Sequence, residues 1–211
     1  MFIHIARSAL PFAAAVLLSL PASSEDAPSA SDLVNALRAG GHVIVFRHGA
    51  THTDQADTDP LRPENIAQQR QLDDKGRADA RGAGEALRKL KIPIGHVYTS
   101  AFNRAVETGK LLGSGDVTPT LDVTEGGLVV TPIENNRRAQ QLRKLAATPP
   151  PSGANTVVVT HKPNILDAFG KDWFEVREGE ASVFRPDGNG GFRAIAHLPI
   201  EQWGKLAQEA K

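Results

Sequence analysis

The chain has 211 residues, 40% of them hydrophobic, which is enough for one domain with a sizeable core and short extensions. Lysine plus arginine and aspartate plus glutamate number 24 each, so no global basic surface for nucleic acid and no acidic tail is present. With no cysteine, disulfides, thiolate metal sites and cysteine nucleophiles are all excluded.

Residues 1–24, MFIHIARSALPFAAAVLLSLPASS, carry one cation, Arg7, then an apolar run from Ser8 to Leu20 and small residues at Ala22, Ser23 and Ser24. This is the layout of a secretory signal peptide, and the run is too short for a comfortable membrane span. The expectation is an exported protein, periplasmic or secreted, that keeps no stable membrane span after cleavage. An uncleaved N-terminal anchor is the alternative. A polar linker over 25–31 then leads into a single domain over 32–211.

Within that domain Asp32 is placed to cap a short helix to Arg38, ended by Gly40 and Gly41. His42 to Phe46 read as a buried strand. Ala50 to Leu72, rich in Thr, Asp, Pro and Gln, has no period and suits a long binding loop or lid. A helix follows from Asp73 or Asp74 to about Leu90, then a strand in HVYTS and a helix in AFNRAVETGKLLG. VTPTLDV is a weaker strand, NNRRAQQLRKLAA a helix and TPPPSGAN a rigid connector. TVVVTH, Thr156 to His161, repeats the buried-strand pattern; PNILDAFG suits a short helix. EASVFRP and GFRAIAHL form a hairpin around DGNGG. Strands alternating with helices predict an α/β fold: a three-layer sandwich with helices on both faces of a mostly parallel sheet, and an antiparallel strand at one edge.

Ligands of such sheets bind outside the carboxyl ends of the strands. There the first strand ends in Arg47-His48-Gly49, the second in Thr99-Ser100 with Arg104 about one turn on, and the strand from Thr156 in His161. Two arginines and two histidines on one rim suit phosphoryl transfer. Arginine forks bind phosphate oxygens bidentately. A neutral imidazole can attack phosphorus and form a covalent intermediate, while a second imidazole, if protonated, steadies charge on the equatorial oxygens. Gly49 allows close backbone approach. The chemistry needs no metal and no cofactor.

FRHG after an apolar strand, YTSAFNRAVETG further on and VVVTH later resemble the histidine phosphatase superfamily, with its phosphoglycerate-mutase-like fold. LDDKGRADA resembles that family's segment before its first long helix. The resemblance covers about Gly41 to Pro186. It implies that His48 is the nucleophile that becomes phosphohistidine, that Arg47 and Arg104 clamp the phosphate, and that His161 completes the pocket. It further implies a phosphomonoester hydrolase of the histidine acid type, acting on a small phosphorylated substrate or, given export, an envelope phospho-sugar. One branch of the family places an acidic residue at Glu125 as general acid; Glu180 is the alternative. The phytase-like branch has His-Asp at the second histidine, where this chain has His161-Lys162. Many members carry an asparagine six residues past the nucleophile, and here Asp54 stands there. An anion in that place repels phosphate unless it points away or pairs with Arg62 or another cation.

Thr51 either hydrogen-bonds the phosphate or shapes the turn. Lys162 and Asn164 either contact the substrate or are, respectively, solvated and helix-capping. Arg137 and Arg138 read as surface charges. Two rival readings remain: an exported pseudoenzyme that binds phosphorylated ligands without turnover, and a zinc hydrolase using His48 and His52. The zinc spacing falls in a post-strand loop, without the His-Glu-x-x-His that a helix would present.

Overall fold

A computed structural model describes residues 28–113 and 116–209. The expected signal peptide and the first half of the linker lie outside the described residues. Helix α1, Ala30–Ala39, begins earlier than expected, because the Ser29 hydroxyl, not Asp32, caps it by accepting from the Asp32 N–H. The second half of the linker is therefore already cap and helix. Leu33, Val34 and Leu37 recur at helical spacing and are buried.

The remaining elements are β1 (Val43–Arg47), α2 (Asp74–Lys89), β2 (Ile94–Ser100), α3 (Asn103–Leu111), β3 (Val117–Thr120), α4 (Pro132–Ala147), β4 (Asn155–Thr160), α5 (Lys162–Phe169), β5 (Ala181–Pro186), β6 (Phe192–Leu198) and α6 (Ile200–Glu209). Asp73 caps α2 by accepting from the Gly76 N–H at 2.7 Å. VTPTLDV yields only a four-residue strand before a single 3-10 turn, Leu121–Val123. Helix α6 has no counterpart in the sequence reading, although Ile200, Trp203, Leu206 and Ala207 form a helical stripe buried in the core.

The six strands lie in the order β3-β2-β4-β1-β5-β6. β3, β2, β4 and β1 run parallel, and β5 with β6 closes the sheet as an antiparallel hairpin. Side chains alternate across β1. Ile44 and Phe46 join α1, α2, α3 and α6 in one core, while Val43 and Val45 join α4 and α5 in the other. Both faces are thus covered, and the fold expected from the sequence is borne out. A strand with both faces buried has no polar face to offer; only its end can carry polar chemistry. β2, β4 and β1 are neighbours and parallel, so their carboxyl ends meet on one rim, with Arg47 opposite Thr160 and Thr99 opposite Val159.

Candidate active site

His48 leaves β1 tied to β4, its N–H donating to the Thr160 carbonyl at 3.0 Å. Its ring is buried, with Nδ1 2.8 Å from the Gly49 carbonyl. A carbonyl only accepts, so Nδ1 carries the proton and Nε2 keeps its lone pair. Burial, then the neighbouring His161 and Arg104, hold this imidazole well below its ordinary range, so it is neutral at pH 7.

His161, at the junction of β4 and α5, lies with its ring centroid 5.0 Å from that of His48. Its Nε2 is 2.7 Å from the Ser100 hydroxyl. That hydroxyl accepts from the Phe102 N–H and has its own proton to give to Nε2. Glu125 Oε1, which only accepts, stands 3.4 Å from Nδ1, and the two neighbours together favour the ring proton on Nδ1, where it has no hydrogen-bond partner among the described residues. Burial first, then Arg104, Arg70 and Arg47, push His161 well below the usual imidazole range. The protonated second imidazole that the sequence chemistry allowed for is not the form this buried position favours. A neutral N–H donor is.

Arg104 stacks its guanidinium 4.7 Å over the Phe102 ring and is 0% exposed. Both of its terminal nitrogens are held by carboxylates: Nη1 donates to Asp57 Oδ1 at 2.9 Å, and Nη2 donates to Asp57 Oδ2 at 3.0 Å and also to Glu125. Arg47 donates from Nη1 to the Val176 carbonyl and pairs through Nη2 with Glu178 at 3.3 Å, while its buried Nε faces no partner among the described residues. The structure therefore brings His48, His161, Arg47, Arg104 and Glu125 together. Glu180 accepts the Arg47 N–H on its backbone carbonyl, but its carboxylate turns to the Arg177 N–H and guanidinium.

The residues suggested to bind substrate distribute differently. The Thr51 hydroxyl donates to Glu178, the partner of Arg47, and so shapes that ion pair. Gly49 uses its N–H on Thr108, and its close backbone approach is to Gly76 of α2, where an added Cβ would come within 3.0 Å of a carbonyl oxygen. The closeness expected toward a ligand is made toward a helix instead. Lys162 extends its ammonium over the Phe174 ring at 4.9 Å. Asn164 neither caps a helix nor faces solvent, since its amide donates to the Thr124 carbonyl from a buried position. Arg138, read as a surface charge, is 8% exposed and donates to the same carbonyl and to Glu134. Two side chains thus fix the backbone directly before Glu125. Arg137 is a half-exposed surface residue paired with Asp122 and Glu134.

Asp54 is 85% exposed on its side chain, near His52 and away from Arg62, which pairs with Asp59. It points to solvent, so the departure from the asparagine of the family resembled places no anion against Arg47 or Arg104. Among the described residues no three His, Cys, Asp or Glu side chains gather as metal ligands.

Four participants were not visible in the sequence reading. Asp57 and Arg70 come from the long loop, where no periodicity marks a position. Arg70 meets the site through its backbone, whose N–H donates to Asp57 at 3.0 Å, and its charge helps to lower Arg47 and His161. Glu178 precedes β5 in an irregular turn. Ser100, which helps to set the His161 tautomer, stood in the sequence only as a strand end.

Residues 43–126 match the histidine phosphatase superfamily (branch 1). The fold is similar to that of the protein histidine phosphatase SixA complexed with tungstate, at 19% identity and TM-score 0.54 over 76% of this chain and 98% of that one. It is also similar to a phosphoserine phosphatase from Entamoeba histolytica, at 15% identity and TM-score 0.53 over 75% and 96%. A mycobacterial glucosyl-3-phosphoglycerate phosphatase gives 17% identity and TM-score 0.51 over 74% and 97%. No curated protein matches the chain. The family resemblance drawn from FRHG and YTSAFNRAVETG is borne out by the match over residues 43–126, VVVTH lies beyond it, and the fold expected from the resemblance is the one these structures share.

Proposed function

We propose that this chain, a histidine phosphatase superfamily member by its match over residues 43–126 and by its fold, is a phosphatase that cleaves phosphate monoesters through a phosphohistidine on His48. The His48 ring carries this reading. It is neutral, its Nδ1 proton is held by the Gly49 carbonyl, and its Nε2 lone pair stands on a rim with Arg47, Arg104 and a second imidazole. Such a group is a competent nucleophile toward phosphorus.

In the first half-reaction Nε2 forms a bond to phosphorus as the bond to the leaving oxygen breaks, and the leaving alkoxide takes a proton from Glu125 in its acid form. In the second, water attacks the phosphohistidine and gives its proton to the Glu125 carboxylate. Inorganic phosphate leaves and His48 is restored. Arg47 and Arg104 bind the phosphoryl oxygens throughout, and the Nδ1–H of His161 donates to one of them. The gathering of Glu125 with Arg104 and His161 favours it over Glu180 as the acid.

The proposed substrate is a small phosphorylated molecule, in keeping with structural neighbours named phosphoserine phosphatase and glucosyl-3-phosphoglycerate phosphatase. Export, with residues 1–24 removed, belongs to the same proposal and makes an envelope phospho-sugar a natural substrate. N-terminal sequencing of protein recovered from cell fractions tests export. A panel comparing envelope phospho-sugars with soluble monoesters tests the substrate.

The reaction itself is tested with an aryl phosphate, with and without a chelator, beside His48→Ala. Phosphate release that survives chelation and vanishes in the variant is expected. Equal release by the variant overturns the mechanism, and release that chelation abolishes moves the chemistry to a metal.

A further inference from the structure

Arg104 is the only fully buried arginine among the described residues, and its donor fork is already filled. Asp57 takes both terminal nitrogens in the fork-to-fork geometry that a phosphate would use, at 2.9 and 3.0 Å. Glu125 takes a further bond from the same Nη2. One cation thus faces two carboxylates. A phosphate dianion cannot take this fork bidentately while Asp57 remains on it, because the buried Nε, without a partner among the described residues, is a single donor beside an Nη2 already given to Glu125, and like charges would be brought together.

The attachment of Asp57 is also of a kind that can be undone. It stands in the irregular loop between β1 and α2, outside any strand or helix. Besides Arg104, its carboxylate is held by one contact, the Arg70 N–H at 3.0 Å on Oδ1. The loop around it is fastened separately. Thr58 N–H donates to the Gln68 carbonyl, Gln71 N–H to Gln55, and the Thr51–Leu72 bridge closes the loop base. Rotation of one side chain can therefore free the fork without unfolding the loop.

We infer that Asp57 is a displaceable internal anion that occupies the phosphate seat of Arg104 in the resting protein, so that substrate binds by exchanging its phosphoryl oxygens for the Asp57 carboxylate. This rests on the phosphatase reading in taking Arg104 as a phosphate ligand. In the bound state Asp57 sits beside the seat and adds a cost to every anion that enters. It lowers affinity for free phosphate and favours substrates whose remaining contacts outweigh the exchange. When the carboxylate leaves, the Arg70 N–H loses its acceptor and turns free beside the seat.

The test is binding of vanadate and of inorganic phosphate to the full chain by calorimetry, for wild type, Asp57→Asn and Asp57→Glu. An anion-free fork is available a larger fraction of the time in Asp57→Asn, so vanadate is expected to bind at least about tenfold more tightly. Asp57→Glu, which keeps the charge, is expected to stay at or below wild-type affinity. Unchanged or weaker binding by Asp57→Asn overturns the inference and makes Asp57 a positioning residue for Arg104.

A readout on the wild-type protein covers a variant that folds poorly. Hydrogen exchange at the Arg70 amide is expected to speed up when phosphate is bound; retained protection overturns the inference. The outcomes separate from those of the hydrolase reading. Tighter vanadate binding by Asp57→Asn in a protein without turnover upholds the exchange and removes the reaction. Turnover with no tightening removes the exchange alone. Failure of every form to bind either anion removes both.

Discussion

At the scale of single residues, the site is a small group of side chains whose protons are assigned by their neighbours. Gly49 sets the His48 tautomer, Ser100 and Glu125 together favour that of His161, and two carboxylates share Arg104. Glu125 and Glu180 can be told apart by leaving group. Glu125→Gln should lower kcat for alkyl phosphates by about 10²–10⁴-fold and far less for aryl phosphates, whose leaving oxygen needs no proton. Glu180→Gln should leave that ratio alone, and a shift of the ratio in Glu180→Gln instead would reverse the assignment. The two imidazoles also predict an acid sensitivity. Both are held well below the ordinary value of 6.5, burial being the first cause. Between those lowered values and 6.5 the unfolded chain binds more protons than the native one, so stability rises with pH across that window and is lost on acidification from 6.5 downward. Urea unfolding at pH 7.5 and 5.5 should show this loss, up to about 1.4 kcal/mol per pH unit for each ring. His161→Gln should show a smaller one, and equal slopes would contradict the assignment.

At the scale of elements, the site depends on how closely two helices approach it. The N-terminus of α2 lies against Ala50, and a Cβ on Gly76 would meet the Ala50 carbonyl oxygen at 2.1 Å. Backbone cannot yield there as a flexible side chain would, so Gly76→Ala should destabilise by about 1–3 kcal/mol and displace the turn that follows His48. Chemical denaturation read beside kcat would register both; a variant with native stability and rate would refute the contact. The start of α5 and the middle of α4 act together on the other side. Asn164 and Arg138 both donate to the Thr124 carbonyl, which precedes Glu125. Arg138→Ala removes one of those ties and its bond to Glu134, which keeps Arg137, so it should cost about 1–3 kcal/mol. It should also weaken general-acid catalysis, again more for alkyl than for aryl leaving groups. These helices were foreseen in the sequence, α2 from its apolar spacing, but their contribution to the site was not. Asn164 and Arg138 look in sequence like any polar residue near a helix start or on a helix face.

At the scale of the whole molecule, two cores support the sheet, and the one under α1, α2, α3 and α6 is closed by Trp203 stacked 5.9 Å from Phe46. Trp203→Ala should cost about 3–5 kcal/mol, with turnover per folded molecule retained because Trp203 itself is fully buried in that core. Removal of residues up to 39 takes Leu33, Val34 and Leu37 out of that core. At about 1.5–3 kcal/mol for each buried side chain, a chain starting at Gly40 should unfold well before one starting at Pro28; thermal melts of the two compare them directly. Much was determined by the sequence alone. Alternating apolar strands and helices imply a sheet covered on both faces, and such a sheet can present polar chemistry only at strand ends. Hence Arg47, His48, Arg104 and His161 were legible as a set before any coordinate was known. What only the tertiary structure decided lies between elements distant in the chain. It chose Glu125 over Glu180 for the rim, turned Asp54 outward, spent the Gly49 amide on Thr108, and set Asp57 on the Arg104 fork. The physical reason is common to these cases. Loop residues follow no period, and the partner of a charge is chosen by packing across tens of residues, which the spacing of a linear sequence does not encode.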